Sequence, residues 1–144
     1  SEMCIRDRSF GVFQSKLCHT KYKEDFNMID LRNYKDLIRE LVAKENDKDK
    51  NWRWSVKSIS KNRVRIRWGY LDYLEEKENC FQIELDSSME SMEWLHARRP
   101  DGEMIECYLV VEGKPNPQVG AEQTIQSGLR DAVWEIAYIA HSRY

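Results

Sequence analysis

Between Trp52 and Tyr70 apolar and polar residues alternate with a period of two, and this alternation constrains the fold more than any other feature of the chain. Trp52, Trp54 and Val56 alternate with Arg53, Ser55 and Lys57. After Ser60, Lys61 and Asn62, the residues Val64, Ile66, Trp68 and Tyr70 alternate with Arg63, Arg65, Arg67 and Gly69. Successive strand residues point to opposite faces, so the pattern predicts a hairpin with one apolar face and one basic face. A loop of Ser60, Lys61 and Asn62 sets Trp54 opposite Trp68 and Trp52 opposite Tyr70. It also sets Ser55 opposite Arg67 and Lys57 opposite Arg65.

Ahead of this hairpin, Leu31, Tyr34, Leu37, Ile38, Leu41 and Val42 recur at helical spacing, with Asp30 placed as an N-cap. The spacing predicts a helix from Asp30 to about Lys44, ended by a solvated loop, "KENDKDKN". A third strand, about Cys80 to Asp86, follows the polar turn "EEKEN", with Phe81, Ile83 and Leu85 on one face and Gln82, Glu84 and Asp86 on the other. Pro100-Asp101-Gly102 is a preset turn between two further strands, about 92–99 and 103–111. Pairing Arg99 with Glu103 groups Leu95 and Ala97 with Ile105, Cys107, Leu109 and Val111, and leaves Trp94, His96, Glu106 and Tyr108 on the opposite face. "EGKPNPQVG" reads as an extended connection. A closing helix, about 120–141, carries an apolar stripe from Ala121 through Ile136 to Ile139 or Ala140. Trp134, Tyr138 and His141 share another face of that helix and read as a packing edge rather than a site. The fold class is therefore α+β: a five-stranded antiparallel meander sheet, with an N-terminal and a longer C-terminal helix packed on one face.

A chain of 144 residues suits one domain. "SEMCIRDR", at residues 1–8, resembles the translation of sequencing-adaptor DNA at the end of an assembled metagenomic fragment. On that reading residues 1–27 are a non-native extension, Met28 is the true start, and residues 28–144 form a single α+β binding domain. The competing reading is an N-terminal arm whose Phe10, Val12, Phe13 and Leu17 cap the core. No window approaches the roughly 18 apolar residues of a membrane helix. The 23 Lys and Arg residues against 25 Asp and Glu leave a net charge of -2, so any anion site must be a local patch. Cys4, Cys18, Cys80 and Cys107 form no CxxC pair, which argues against a zinc site. The expectation is a reduced, cytoplasmic protein, in the host cytoplasm if the source is viral, with no metal and no cofactor.

The basic face of the hairpin and the far strands supply the candidate site. Glu84 and Asp86 have the parity to neutralise Arg67 and Arg65, which gives an ordinary solvated face worth about 0–1 kcal/mol per ion pair. The functional reading adds Trp94, Tyr108 and His96, expected outward with Met92, Met104 and Arg98, since exposed aromatic clusters mark binding surfaces. Arg65, Arg67 and Lys57 would take phosphates, Trp94 and Tyr108 would stack a base, and Lys114, in a Gly-Lys-Pro turn before the last helix, is a further phosphate candidate. His96 beside Glu106 is the best acid/base pair on offer, yet such pairs are more often structural. The expectation is thus a non-enzymatic protein that holds or sequesters a nucleotide-like, phosphate-bearing ligand. It resembles in kind the small accessory and counter-defence proteins of phages, with no family motif behind the likeness. The rivals are a protein–protein inhibitor or adaptor working through the same face, including as a homodimer, and a single-stranded nucleic-acid binder.

Overall fold

The computed structural model describes residues 29–70, 80–87 and 92–143. The extension at 1–27 and the "EEKEN" turn lie outside the described residues. A 3-10 turn, Leu31–Tyr34, runs into helix α1, Lys35–Lys48. Strands β1 (Trp52–Ile59), β2 (Arg63–Tyr70), β3 (Cys80–Asp86), β4 (Glu93–Arg98) and β5 (Met104–Val111) follow, then the two-residue β6 (Gln123–Thr124) and helix α2 (Ile125–Arg143). The six strands form one sheet in chain order, each pair antiparallel except β5 and β6, which are parallel. The α+β class holds, but the sheet is six-stranded and mixed rather than a five-stranded antiparallel meander. β6 is too short to carry a periodic signal.

Both helix boundaries also move. Asp30 caps the 3-10 turn, accepting from the Arg32 backbone N–H, and the α-helix proper starts later and runs on to Lys48. The first part of the polar run read as loop, through Lys48, is helical because its residues find partners, while residues 49–51 do form the connection. Glu45 is buried and takes Lys48 Nζ at 2.9 Å. The Asn46 side chain pairs with Trp54 on both backbone groups, accepting from its N–H at 2.5 Å and donating to its carbonyl at 2.7 Å. Asn46 thereby occupies backbone groups of β1, an edge strand of the sheet among the described residues, and blunts that edge.

The inner face of the sheet meets the helices in one core. α1 packs on β1, α2 packs on β4 and β5, and the two helices touch. Ile38 and Val42 of α1 and Ile125, Leu129, Val133 and Ile136 of α2 join Val64, Ile66, Phe81, Ile83 and Leu95 in a single buried cluster. The tryptophans belong to it: Trp52, Trp54 and Trp68 are 2%, 3% and 4% exposed. Trp54 pairs with Trp68 and Trp52 with Tyr70, as the alternation predicts. Trp52 and Trp68 stack at 4.9 Å, and His141 at the end of α2 lies tilted over Trp52 at 4.5 Å. Half of the alternating stretch is therefore core, and its arginines lie on the other face.

Two one-residue irregularities decide which side chains share the outer face. In β1, Val56 pairs with Ile66 but Ser58 pairs with Arg65, so Lys57 is the extra residue of a bulge. The turn is tighter than the expected three-residue loop, with Ser60 N–H donating to the Arg63 carbonyl. Lys57 consequently does not face Arg65; Ser58 does. In the second hairpin Arg98 pairs with Met104 but Ala97 pairs with Glu106, which makes Ile105 an extra residue. A bulge shifts the parity of everything beyond it. Tyr108 and Val110 thus lie on the inner face with Leu95 and Glu93, and Cys107 and Leu109 lie on the outer face with His96 and Trp94. The grouping expected from the Arg99–Glu103 pairing is reversed along β5, although that pairing is itself present.

Candidate functional site

Side chains directly opposite one another across strands share a face, so the register lays out the outer face as rows. Ser55, Arg67 and Cys80 form the first row, and Ser58, Arg65, Gln82, Arg98 and Met104 the second. Arg63, Glu84, His96 and Cys107 form the third, and Asp86, Trp94 and Leu109 the fourth. The expected neutralisation of Arg67 and Arg65 by Glu84 and Asp86 is displaced by this register. Glu84 instead takes Arg63 at 3.1 Å and Arg98 Nε at 2.8 Å.

The third row is a compact polar cluster. Arg98 also donates to the Gly102 carbonyl at 2.9 Å, and its other terminal nitrogen lies 3.3 Å from His96 Nδ1. A guanidinium can only donate, so Nδ1 accepts and the ring proton sits on Nε2, which looks toward Asp86 Oδ2 at 3.9 Å. Arg98 and Asp86 thus flank the imidazole on its two nitrogens. Glu106, expected beside it, lies on the other face opposite Ala97, so the best acid/base pair offered by the sequence is not assembled. Asn62, Arg63, Glu84, Asp86, His96 and Arg98 line a shallow polar cleft of about 220 Å³ around this cluster.

The basic end of the face is different in character. Arg65 is half-buried between Ser58 and Gln82, and it makes no ion pair among the described residues. Arg67 is half-buried between Ser55 and Cys80, while Arg53 and Lys57 are exposed on β1. These four cations form the local patch that the near-neutral net charge demands of any anion site.

The aromatic part of the expected site does not join them. Trp94 is half-buried opposite the buried Leu109, and its Nε1 is buried without a hydrogen-bond partner among the described residues. It lies two strands across and four residues along from Arg65, roughly 17 Å away at ordinary strand spacings, with the Glu84 cluster between. Tyr108 is on the opposite face, where it packs against the core and its hydroxyl donates to the Asp131 carbonyl of α2 at 3.3 Å. Burial there pushes its phenol well above the ordinary range. Lys114 is exposed in the connection after β5 and does not sit at the start of α2, which begins at Ile125 after β6. The helix N-terminus is already served by Thr124, whose Oγ1 accepts from Ser127 N–H at 3.0 Å.

Cys80 and Cys107 are free cysteines, Cys80 buried and Cys107 half-buried, and burial pushes the Cys107 thiol up, away from the reactive thiolate. Among the described residues no group of three or more His, Cys, Asp or Glu side chains could hold a metal ion, and no helix is long and apolar enough to cross a membrane. The feature underrated by sequence reasoning is the outer side of α2. Trp134 and Tyr138, read as a packing edge, are 54% and 57% exposed. Their helical spacing was visible, but whether another element covers that face is not a local property.

Comparison with protein-family models, with curated proteins and with solved structures finds no match for the chain. The class defined by the geometry is an α+β protein with a helix-covered inner sheet face and an outer face that carries basic residues at one end and the Glu84 ion-pair cluster at the other.

Proposed function

We propose that the protein is a non-catalytic binding protein that holds a phosphate-bearing, nucleotide-like anion on the basic half of the outer face. Arg65 is the principal contact, with Arg67, Arg53 and Lys57 around it. The observation supporting this most strongly is the setting of Arg65, a partly desolvated guanidinium with Ser58 and Gln82 directly opposite and no ion pair among the described residues. Such a group gains more than a solvated lysine does from the paired hydrogen bonds of a phosphate. The separation of Glu106 from His96 supports a non-catalytic reading.

The distance of Trp94 limits its part in the complex. A mononucleotide engages the arginines alone, and only a longer ligand that crosses the Glu84 cluster reaches the indole. Sequestering a small nucleotide signal, as in the phage-type role suggested by the sequence, fits this reading.

Thermal denaturation in the presence of pyrophosphate, a panel of nucleotides and short oligonucleotides tests it. Ligand at about a hundred times Kd stabilises the fold by about 2.7 kcal/mol through mass action, and Arg65→Gln removes the effect. A panel that leaves the transition unmoved, or an Arg65→Gln variant that responds like wild type, overturns the proposal. A response confined to oligonucleotides and lost steeply with salt assigns the patch to single-stranded nucleic acid instead.

A further inference from the structure

The side of α2 turned away from the core carries a second surface with the opposite charge. Trp134 and Tyr138 stack on each other, ring centroids 5.5 Å apart and planes 11° from parallel, with more than half of each side chain in solvent. Isolated apolar side chains at a surface are ordinary, whereas two large aromatics locked face to face at the junction of two clefts form a platform. Trp134 is a wall of both clefts. One, of about 430 Å³, lies between α2 and β5 and is bounded by Tyr108, Glu106, Asp131 and Glu135. The other, of about 310 Å³, lies between α2 and the end of α1, with Glu45 and Asp49 on its rim and Lys48 spent on Glu45.

The larger cleft holds three carboxylates and no cation, and none of the three makes an ion pair among the described residues. Like charges gathered on one wall cost free energy that a cation relieves, and the adjoining indole face attracts that same cation. A guanidinium satisfies both demands, because it stacks on an aromatic plane while forking to carboxylate oxygens. Both clefts are open at the surface and share one wall, which suits a chain laid across them better than a small molecule enclosed by either.

We infer that α2 is a docking face for an arginine-bearing segment of a protein partner, with one guanidinium in the Glu106–Asp131–Glu135 cleft against Trp134 and the adjoining residue over Tyr138. The surface is distinct from the basic outer face of the sheet, and it is independent of whether that face holds a phosphate ligand.

Fluorescein-labelled Gly-Arg-Gly-Arg-Gly, and the same peptide with glutamine for arginine, are titrated with the whole protein while anisotropy and tryptophan emission are followed. The arginine peptide binds saturably, weakens with salt and binds at least about tenfold more tightly than the glutamine peptide. Trp134→Ser and the double variant Asp131→Asn/Glu135→Gln each lose about tenfold in affinity while keeping the wild-type melting temperature. Arg65→Gln leaves peptide binding unchanged. No saturable binding up to millimolar peptide, equal binding of the two peptides, or variants that bind like wild type overturn the inference. Concentration-dependent self-association abolished by Trp134→Ser overturns it too, since the face then belongs to a second copy of the chain.

Discussion

Glu84 is where the stability of the sheet and its anion affinity pull in opposite directions, and Glu84→Gln separates them. The carboxylate takes Arg98 Nε at 2.8 Å and Arg63 at 3.1 Å, with side-chain exposures of 24% for Glu84, 27% for Arg98 and 55% for Arg63. The Arg63 pair is largely solvated and contributes about 0–1 kcal/mol. The better-shielded Arg98 pair is a charge-assisted hydrogen bond, discounted to about 1 kcal/mol for its remaining exposure. Glutamine keeps an acceptor for one arginine, so the expected loss of stability is about 1–2 kcal/mol. Glu84 is also one strand over and one row along from Arg65, roughly 8 Å from an anion held there. A unit charge at that distance contributes about 2 kcal/mol at an effective dielectric of 20, reduced to about 0.5–1 kcal/mol by salt at physiological strength. Removing it tightens phosphate binding by roughly two- to fivefold. Urea denaturation measures the first quantity, and calorimetric titration with pyrophosphate in low and physiological salt measures the second. A variant that is less stable but binds pyrophosphate no better than wild type would refute the placement of the anion at Arg65.

Three further perturbations probe the frame that carries both faces. Gly128 sits where α2 meets β5, and a Cβ there would come within 2.6 Å of Val110 Cγ1. Gly128→Ala therefore gains about 1 kcal/mol of helix propensity but loses about 1–3 kcal/mol to overpacking, and it becomes stabilising in a Val110→Ala background, as a denaturation double-mutant cycle reads out. Glu93 is 8% exposed on the inner face, accepting from Ser87 Oγ at 2.9 Å, and burial raises its pKa above the ordinary 4.5. A carboxyl raised in the folded state contributes stability that is full below the unfolded pKa and is lost as pH rises through the folded one. Glu93→Gln should consequently raise the melting temperature at neutral pH and flatten its decline above pH 4.5, and an unchanged pH profile would contradict this. Asn46→Ala leaves the Trp54 N–H and carbonyl on the edge strand without their side-chain partner. It should cost about 1–3 kcal/mol in urea denaturation and speed amide exchange at Trp54.

Much of this architecture was legible in the sequence because it rests on short-range periodicity. The alternation around Trp52, Trp54, Trp68 and Tyr70 dictates a hairpin, and burying the indoles against the helices removes a large apolar surface from water. The apolar stripes specify two amphipathic helices, and Pro-Asp-Gly specifies a turn, with Gly102 at a φ of 92°. What the periodicity could not reveal is where it is interrupted. A bulge is a compromise between the pairing of two strands and the packing of both against a third element, so no residue near Lys57 or Ile105 announces one. The extra residue at Ile105 sends Tyr108 inward beneath α2 and separates His96 from Glu106, while the register of β3 gives Glu84 to Arg63 and Arg98 instead of Arg67.

The sequence by itself determined the fold class, the buried tryptophans and the basic character of one sheet face, since each follows from residues within a few positions of one another. Tertiary structure alone decided that Glu84 goes to Arg63 and Arg98. It also decided that Trp134 and Tyr138 stay uncovered. Both outcomes depend on strand register and on how one element lies over another, which are set by contacts between residues far apart in the chain.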